Sequence, residues 1–177
     1  MDRPLTDRDK KDQQTVLTVA VARGYFATLG LSIAHGRDFT PDDGSPGRPF
    51  AIVNERFVEK FSPDRDPIGQ RIAVGSTDSP APPTWLTIAG VAPSIRQRPM
   101  PSPDAVVYLP LRSLPPPNAA LIVRSDMRTD ALSELLRGEM QSIDRNLPLN
   151  RMRTMAQVVR DAEWVGRISR NLSRVLT

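Results

Sequence analysis

An α+β fold with two strand–helix–strand units is what this sequence predicts, and three observations predict it. Thr15 to His35 runs from an apolar strand through a short aromatic helix to a second apolar strand. Ala119 to Met152 repeats that order with a longer helix. Between them, strand-type runs alternate with turns, in a chain whose 18 prolines are about twice the usual share and mark frequent loops and edges. Paired βαβ units with an insertion between them make a split ferredoxin-like sheet with helices on one face. The expected boundaries are a disordered lead-in at 1–14, a βαβ subdomain made of 15–40 and 119–177, and a strand-rich inserted subdomain at 41–118.

Each element has a local reason. Residues 1–14 alternate acids and bases without apolar periodicity. Thr15 to Ala22, TVLTVAVA, has the composition of a buried strand. Gly24 to Leu29 follows as a short helix with Tyr25, Phe26 and Leu29 on one side, and Gly30 is placed to end it in a left-handed conformation. Leu31 to His35 reads as the second strand. In the insertion, Ala51 to Val53 form a strand and Asn54 is placed to cap the helix after it, its side-chain oxygen accepting a free backbone N–H. Phe57 and Phe61 lie one helical turn apart with Val58 beside them. Pro63 stops that helix, and Asp64 to Gly69 carry tight-turn residues before a further strand near Ile72.

Ala119 to Arg124, AALIVR, reads as a strand. Thr129 or Asp130 can cap a helix in which Leu132, Leu135, Leu136, Met140 and Ile143 keep helical spacing, with Gly138 costing about 1 kcal/mol relative to alanine. Pro148 leads into a strand around Leu149 to Met152. Met155 to Leu176 is the longest helical pattern, with Met155, Val158, Val159, Ala162, Val165, Ile168, Leu172 and Val175 in one stripe and Arg160, Arg167, Arg170 and Arg174 mostly off it. Such a stripe packs in a core or meets a partner or membrane surface.

Composition bounds the function. A chain of 177 residues forms one compact domain or two small subdomains. Having no cysteine, it holds neither disulfides nor a thiolate metal site. No segment supplies the roughly 20 apolar residues that span a bilayer, because the longest uncharged stretch, Ser79 to Ile95, is broken by Pro80, Pro82, Pro83 and Pro93. No signal peptide is visible beside the charged Asp2 to Asp12, so the chain as it stands reads as soluble. The net charge of +4 resides entirely in 151–177, where six arginines meet two acids. A solvated helix face accounts for them, and an anionic surface is the sharper alternative.

Candidate chemistry is thin. His35, the only histidine, ends a strand before Gly36 and reads as a turn residue. Asp42 with Asp43, and Asp64 with Asp66, offer oxygen ligands, yet sit among Pro and Gly where turns explain them. Asn54 and Glu55 read as a cap and a favourable charge at a helix N-terminus. No phosphate-cradling Gly-rich loop is present, and exposed aromatics interleaved with basic residues, which nucleic acid would require, are lacking. The proline clusters Pro80–Pro83, Pro99–Pro103 and Pro115–Pro117 read as loop punctuation rather than recognition segments. Catalytic, cofactor and metal residues are therefore not expected.

The order of short motifs carries a resemblance. RGYFATLGLSIAHGRDF (Arg23 to Phe39), AIVNERFVEKFSPDRDPIGQRI (Ala51 to Ile72), WLTIAGV (Trp85 to Val91), VYLP (Val107 to Pro110) and RTM (Arg153 to Met155) resemble, in that order, the MacB-like periplasmic core domain of FtsX-type ABC-transporter permeases. The similarity runs from about Val16 to Val159 and leans towards the large duplicated bacterial permeases rather than the macrolide exporter. It implies a porter-like βαβ subdomain and a non-catalytic domain at the periplasmic face of the inner membrane, without cofactor. Such a domain couples ATP-driven motion of membrane helices to substrate or to a periplasmic partner. Implied partners are a cytoplasmic ABC ATPase reached through the membrane helices, a periplasmic adaptor, and a second copy in a homodimer, but no nucleic acid. The residues expected to meet a partner or transmit motion are Arg96 and Arg98 in the IRQRPM loop and Trp164, Arg167, Ile168 and Leu172 on the last helix. A free-standing periplasmic binding module of the same fold is the alternative. An enzyme acting on cell-wall or small-molecule substrates is a third reading, which no residue spacing supports.

Overall fold

The computed structural model describes residues 16–75, 82–95, 104–115, 118–146 and 151–161. The chain divides into two compact units, Met1–Gln97 with Ser102–Ile122, and Arg98–Pro101 with Val123–Thr177.

The first unit is a mixed sheet of six strands, namely β1 (Leu17–Val21), β2 (His35–Gly36), β3 (Phe50–Asn54), β4 (Arg71–Val74), β5 (Thr84–Ala92) and β6 (Val106–Pro110). They lie in the order β1-β6-β3-β5-β2, and β4 also pairs with β5. β1 runs parallel to β6 and β3 parallel to β5, whereas β3–β6, β2–β5 and β4–β5 are antiparallel. Ala51 to Asn54 are fully buried, as a near-continuous apolar run predicts for a central strand covered on both faces.

The period-two alternation along β3 and β6 builds one core on each face. On one face, Ala51, Val53, Val107 and Leu109 join Leu86, Ile88 and Val91 beneath Phe57 of helix α2 (Glu55–Phe61). On the other, Ile52, Val106 and Tyr108 join Val21, Phe39 and Ala92 beneath Phe26 of helix α1 (Tyr25–Thr28). Phe26 and Tyr108 meet edge to face with ring centroids 5.0 Å apart, a geometry that adds to their burial.

Two glycines close the far edge of the sheet. Gly36 pairs with Gly90 in the β2–β5 register, and a Cβ on Gly90 would collide with the carbonyl oxygen of Arg37. A Cβ on Gly36, at φ 76°, would meet the carbonyl oxygen of Ala89. Only glycines let these backbones approach, and the positive φ of Gly36 ends the strand. This is why the expected strand Leu31–His35 is reduced to His35–Gly36, held by the bonds from Ala34 N to Val91 O (2.8 Å) and Arg37 N to Ala89 O (3.0 Å).

The second unit contains helix α3 (Thr129–Ile143), and residues 155–161 are also helical. The helical spacing of Leu132, Leu136 and Met140 is realised as the half-buried side of α3, which buries no residue fully. Its N-cap is Arg128, with Asp130 in the first turn, rather than the expected Thr129 or Asp130. Arg128 reaches the Asp130 carboxylate at 3.2 Å.

A mixed α/β architecture is thus observed, with pairings that differ from those expected. The expected subdomains join 15–40 to 119–177 and set 41–118 apart. In the structure β1 bonds to β6 instead, through the Leu17–Val106 to Val21–Pro110 register. The apolar side of β1 is satisfied by that neighbour. Residues 119–125 form no strand, and Leu121, Ile122 and Val123 are exposed. Strand composition is insufficient where no neighbouring edge supplies ladder bonds. Of the expected strand at Leu149 to Met152, Leu149 and Asn150 lie outside the described residues, while Arg151 and Met152 are not in a strand. The lead-in at 1–14 and most of the last helix, from Ala162 onwards, also fall outside them.

Candidate functional site

Of the acidic and histidine candidates, His35, Asp66 and Glu55 make structural contacts. His35 is exposed at the β2 edge with Nε2 3.3 Å from Asp66 Oδ1. Asp66 in turn accepts the Ile68 N–H at 2.9 Å, the side-chain turn expected where Asp precedes Pro and Gly. Glu55 Oε2 accepts the Ser94 N–H at 3.2 Å while Ser94 Oγ accepts the Arg56 N–H at 2.9 Å, so the two ends fasten the start of α2 to the chain after β5. Among the described residues no group of three His, Asp or Glu side chains is placed to hold a metal ion.

Asn54 does more than cap. Its Oδ1 accepts the Phe57 N–H at 3.0 Å and the Val106 N–H at 2.9 Å, and its Nδ2 donates to the Asp104 carbonyl at 2.8 Å. One buried amide therefore joins the end of β3, the start of α2 and the start of β6.

Among the described residues, the ion pair with the most buried member joins Arg37 to Asp43, a pairing that the sequence analysis does not anticipate. Arg37 donates to both oxygens of Asp43, at 2.6 Å and 3.1 Å, and stacks over the Phe50 ring with its guanidinium carbon 5.0 Å from the centroid. The Thr40 N–H adds a third bond to Asp43 at 2.7 Å. Burial pushes the Asp43 carboxyl up, but the Arg37 and Thr40 hydrogen bonds and the Arg37 charge outweigh it and hold the group below the usual carboxylate range. The available signal was Arg37-Asp38-Phe39 followed closely by the Pro41-Asp42-Asp43-Gly44 turn, which returns an acid to the arginine six residues earlier.

A depressed folded-state value means that the Asp43 contribution is complete above the unfolded carboxylate pKa of about 3.9 and fades as pH falls through the folded value. Asp43→Asn is expected to lower unfolding free energy by about 2 kcal/mol at pH 7, the usual cost of breaking a buried pair reduced because Arg37 is partly solvated. The gap between parent and variant should narrow below pH 4. Urea unfolding at pH 7 and pH 3 measures both, and an equal gap at both pH values would contradict the assignment.

The six residues expected to contact partners, Arg96, Arg98, Trp164, Arg167, Ile168 and Leu172, all lie outside the described residues. The described start of their helix can be read. Thr154 and Gln157 form a reciprocal capping box, with the Gln157 N–H 3.2 Å from Thr154 Oγ1 and the Thr154 N–H 2.8 Å from Gln157 Oε1. The RTM motif thus begins a helix, and Arg153 pairs with Asp161 across its first turns at 3.2 Å. Met155, Val158 and Val159 are exposed there, as are Leu135 and Ile143 on α3. Of the expected stripe, Ala162, Val165, Ile168, Leu172 and Val175 lie outside the described residues, and its described start is exposed rather than packed in a core.

The described residues thus comprise a mixed sheet with an apolar core on each face and, in the second unit, helices with exposed apolar side chains. The chain belongs to the family described as MacB-like periplasmic core domain, whose model matches residues 3–139. These are extracytoplasmic parts of ABC-transporter permeases. The periplasmic region of MacB from Actinobacillus actinomycetemcomitans is similar at 15% identity and a TM-score of 0.50, over 71% of this chain and 56% of that one. The extracellular domain of the noncanonic ABC-type transporter YknZ from Gram-positive bacteria is similar at 18% identity and a TM-score of 0.42, over 68% of this chain and 63% of that one. The chain thus spans less than two thirds of either structure. No curated protein matches it. Among the described residues no helix is long and apolar enough to cross a membrane.

Proposed function

We propose that this chain is the non-catalytic coupling domain of an ABC-transporter permease, held outside the inner membrane and moved by membrane helices that a cytoplasmic ATPase drives. The observation that carries the reading is the family match over residues 3–139. Two features support it physically. The first unit is cross-tied by Asn54 and covered on both faces, so it moves as a rigid body. The helix that starts at the Thr154–Gln157 capping box exposes apolar side chains, and a helix transmits displacement that a loop would absorb.

Under this reading Trp164, Arg167, Ile168 and Leu172 pass on the motion, and Arg96 and Arg98 meet a periplasmic adaptor or a second copy in a homodimer. A split ferredoxin-like, porter-like arrangement drawing on 15–40 and 119–177 is part of the proposal, with the half-buried side of α3 in support.

The test is a permease carrying this domain, reconstituted with its ATPase in vesicles. Val158→Asp with Val159→Asp should leave ATP hydrolysis within about twofold while slowing transport at least tenfold, a loss of coupling of about 1.4 kcal/mol or more. Transport and hydrolysis falling in parallel, or neither changing, would overturn the coupling role.

A further inference from the structure

The carboxyl ends of β1 and β6, two parallel neighbours, open into a cavity of about 200 Å³ in the first unit. Crevices at such strand ends are where open α/β sheets commonly take ligands. Val21, Phe39, Pro110 and Leu111 supply apolar walls, and Arg23 and Arg112 complete the lining with two exposed guanidinium groups. Arg112 is fixed by donating to Ser45 Oγ at 2.8 Å, and the turn bearing Ser45 is seated by Gly44, where a Cβ would strike Ser113 and Pro110. Arg23 has no ion-pair partner among the described residues.

Asp43 also lines the cavity, yet it does not neutralise these arginines. Both of its oxygens are taken by Arg37, and one also accepts the Thr40 N–H. The local balance at the mouth is therefore two positive charges over an apolar floor. Such a combination recognises an anion with a hydrocarbon body, because the fork of an arginine matches a carboxylate and the walls take the stem.

We propose that this cavity is a binding site for a small amphiphilic carboxylate, its head between Arg23 and Arg112 and its apolar stem against Val21, Phe39 and Pro110. The site is independent of the coupling role and requires no chemistry of the ligand.

Hexanoate is the probe, titrated into the full ¹⁵N-labelled chain while amide resonances are followed by NMR. Saturable shifts confined to Ala22, Arg23, Thr40, Leu111 and Arg112 are expected, with 1-hexanol and acetate each binding at least tenfold more weakly. Arg23→Gln with Arg112→Gln, both surface changes that spare the core, should weaken hexanoate at least tenfold while the unfolding midpoint stays put. Equal responses to hexanoate and hexanol, a double variant that binds as well as the parent, or no saturation at 20 mM hexanoate would each overturn the proposal.

Discussion

Asn54→Ala is expected to lower the unfolding free energy by about 4 kcal/mol, more than any other exchange of one polar side chain in the first unit. The cap to Phe57 contributes about 1 kcal/mol. The larger part comes from Val106, whose buried N–H would be left without its acceptor at about 1–3 kcal/mol, and from the donated bond to the Asp104 carbonyl at about 1 kcal/mol more. Asn54→Ser should recover about 1 kcal/mol, because serine caps well but is too short to span three groups. Asn54→Asp should not restore stability, since it places a charge in a fully buried position and turns an acceptor towards the Asp104 carbonyl. Urea titration of the four proteins gives the series. A loss below about 1 kcal/mol for the alanine variant would mean that only the cap matters.

The same residue shows what a sequence discloses. Asn54 to Phe57 is a relation over three positions, set by helix geometry, and it was readable. Asn54 to Val106 spans 52 positions and exists only because β3 lies beside β6, which no local pattern states. The aromatic side of α1, the left-handed Gly30 and the apolar face of α2 were legible for the same local reason. Strand neighbours were not. Thr15 to Ala22 has the right composition for a strand but carries no mark saying that its partner is Val106–Pro110 rather than the segment at 119–124. The cavity between Arg23 and Arg112 was hidden too, since it is assembled from β1, the turn at 40–45 and the end of β6. Arg37 and Asp43 lay within reach of a local reading, six residues apart around a Pro-Asp-Asp-Gly turn, but an acid in a turn has a sufficient explanation without its arginine.

Amide hydrogen exchange should separate the two units by at least about 10³ in rate, slow in β3, β5 and β6 and fast in α3. Val53, Ala92, Val106 and Tyr108 lie in ladders covered on both faces, so their amides exchange only when the first unit unfolds as a whole, against a stability on the order of 5–15 kcal/mol. α3 is 15 residues long and fully buries none of them, and Leu135 and Ile143 are exposed. A helix of that length is marginal in water without packing, and Gly138 and Arg128, a poor cap, weaken it further. Its opening is therefore expected to be local and cheap. Engagement of the exposed apolar side chains by a partner should slow α3 exchange while leaving the β3 and β6 rates unchanged, because the partner binds the ordered helix and not the opened one. Equal protection of α3 and β3 in the chain alone would show that the helical unit is already packed, and the exposed stripe at Met155, Val158 and Val159 would then lose its claim as the surface through which motion leaves the domain.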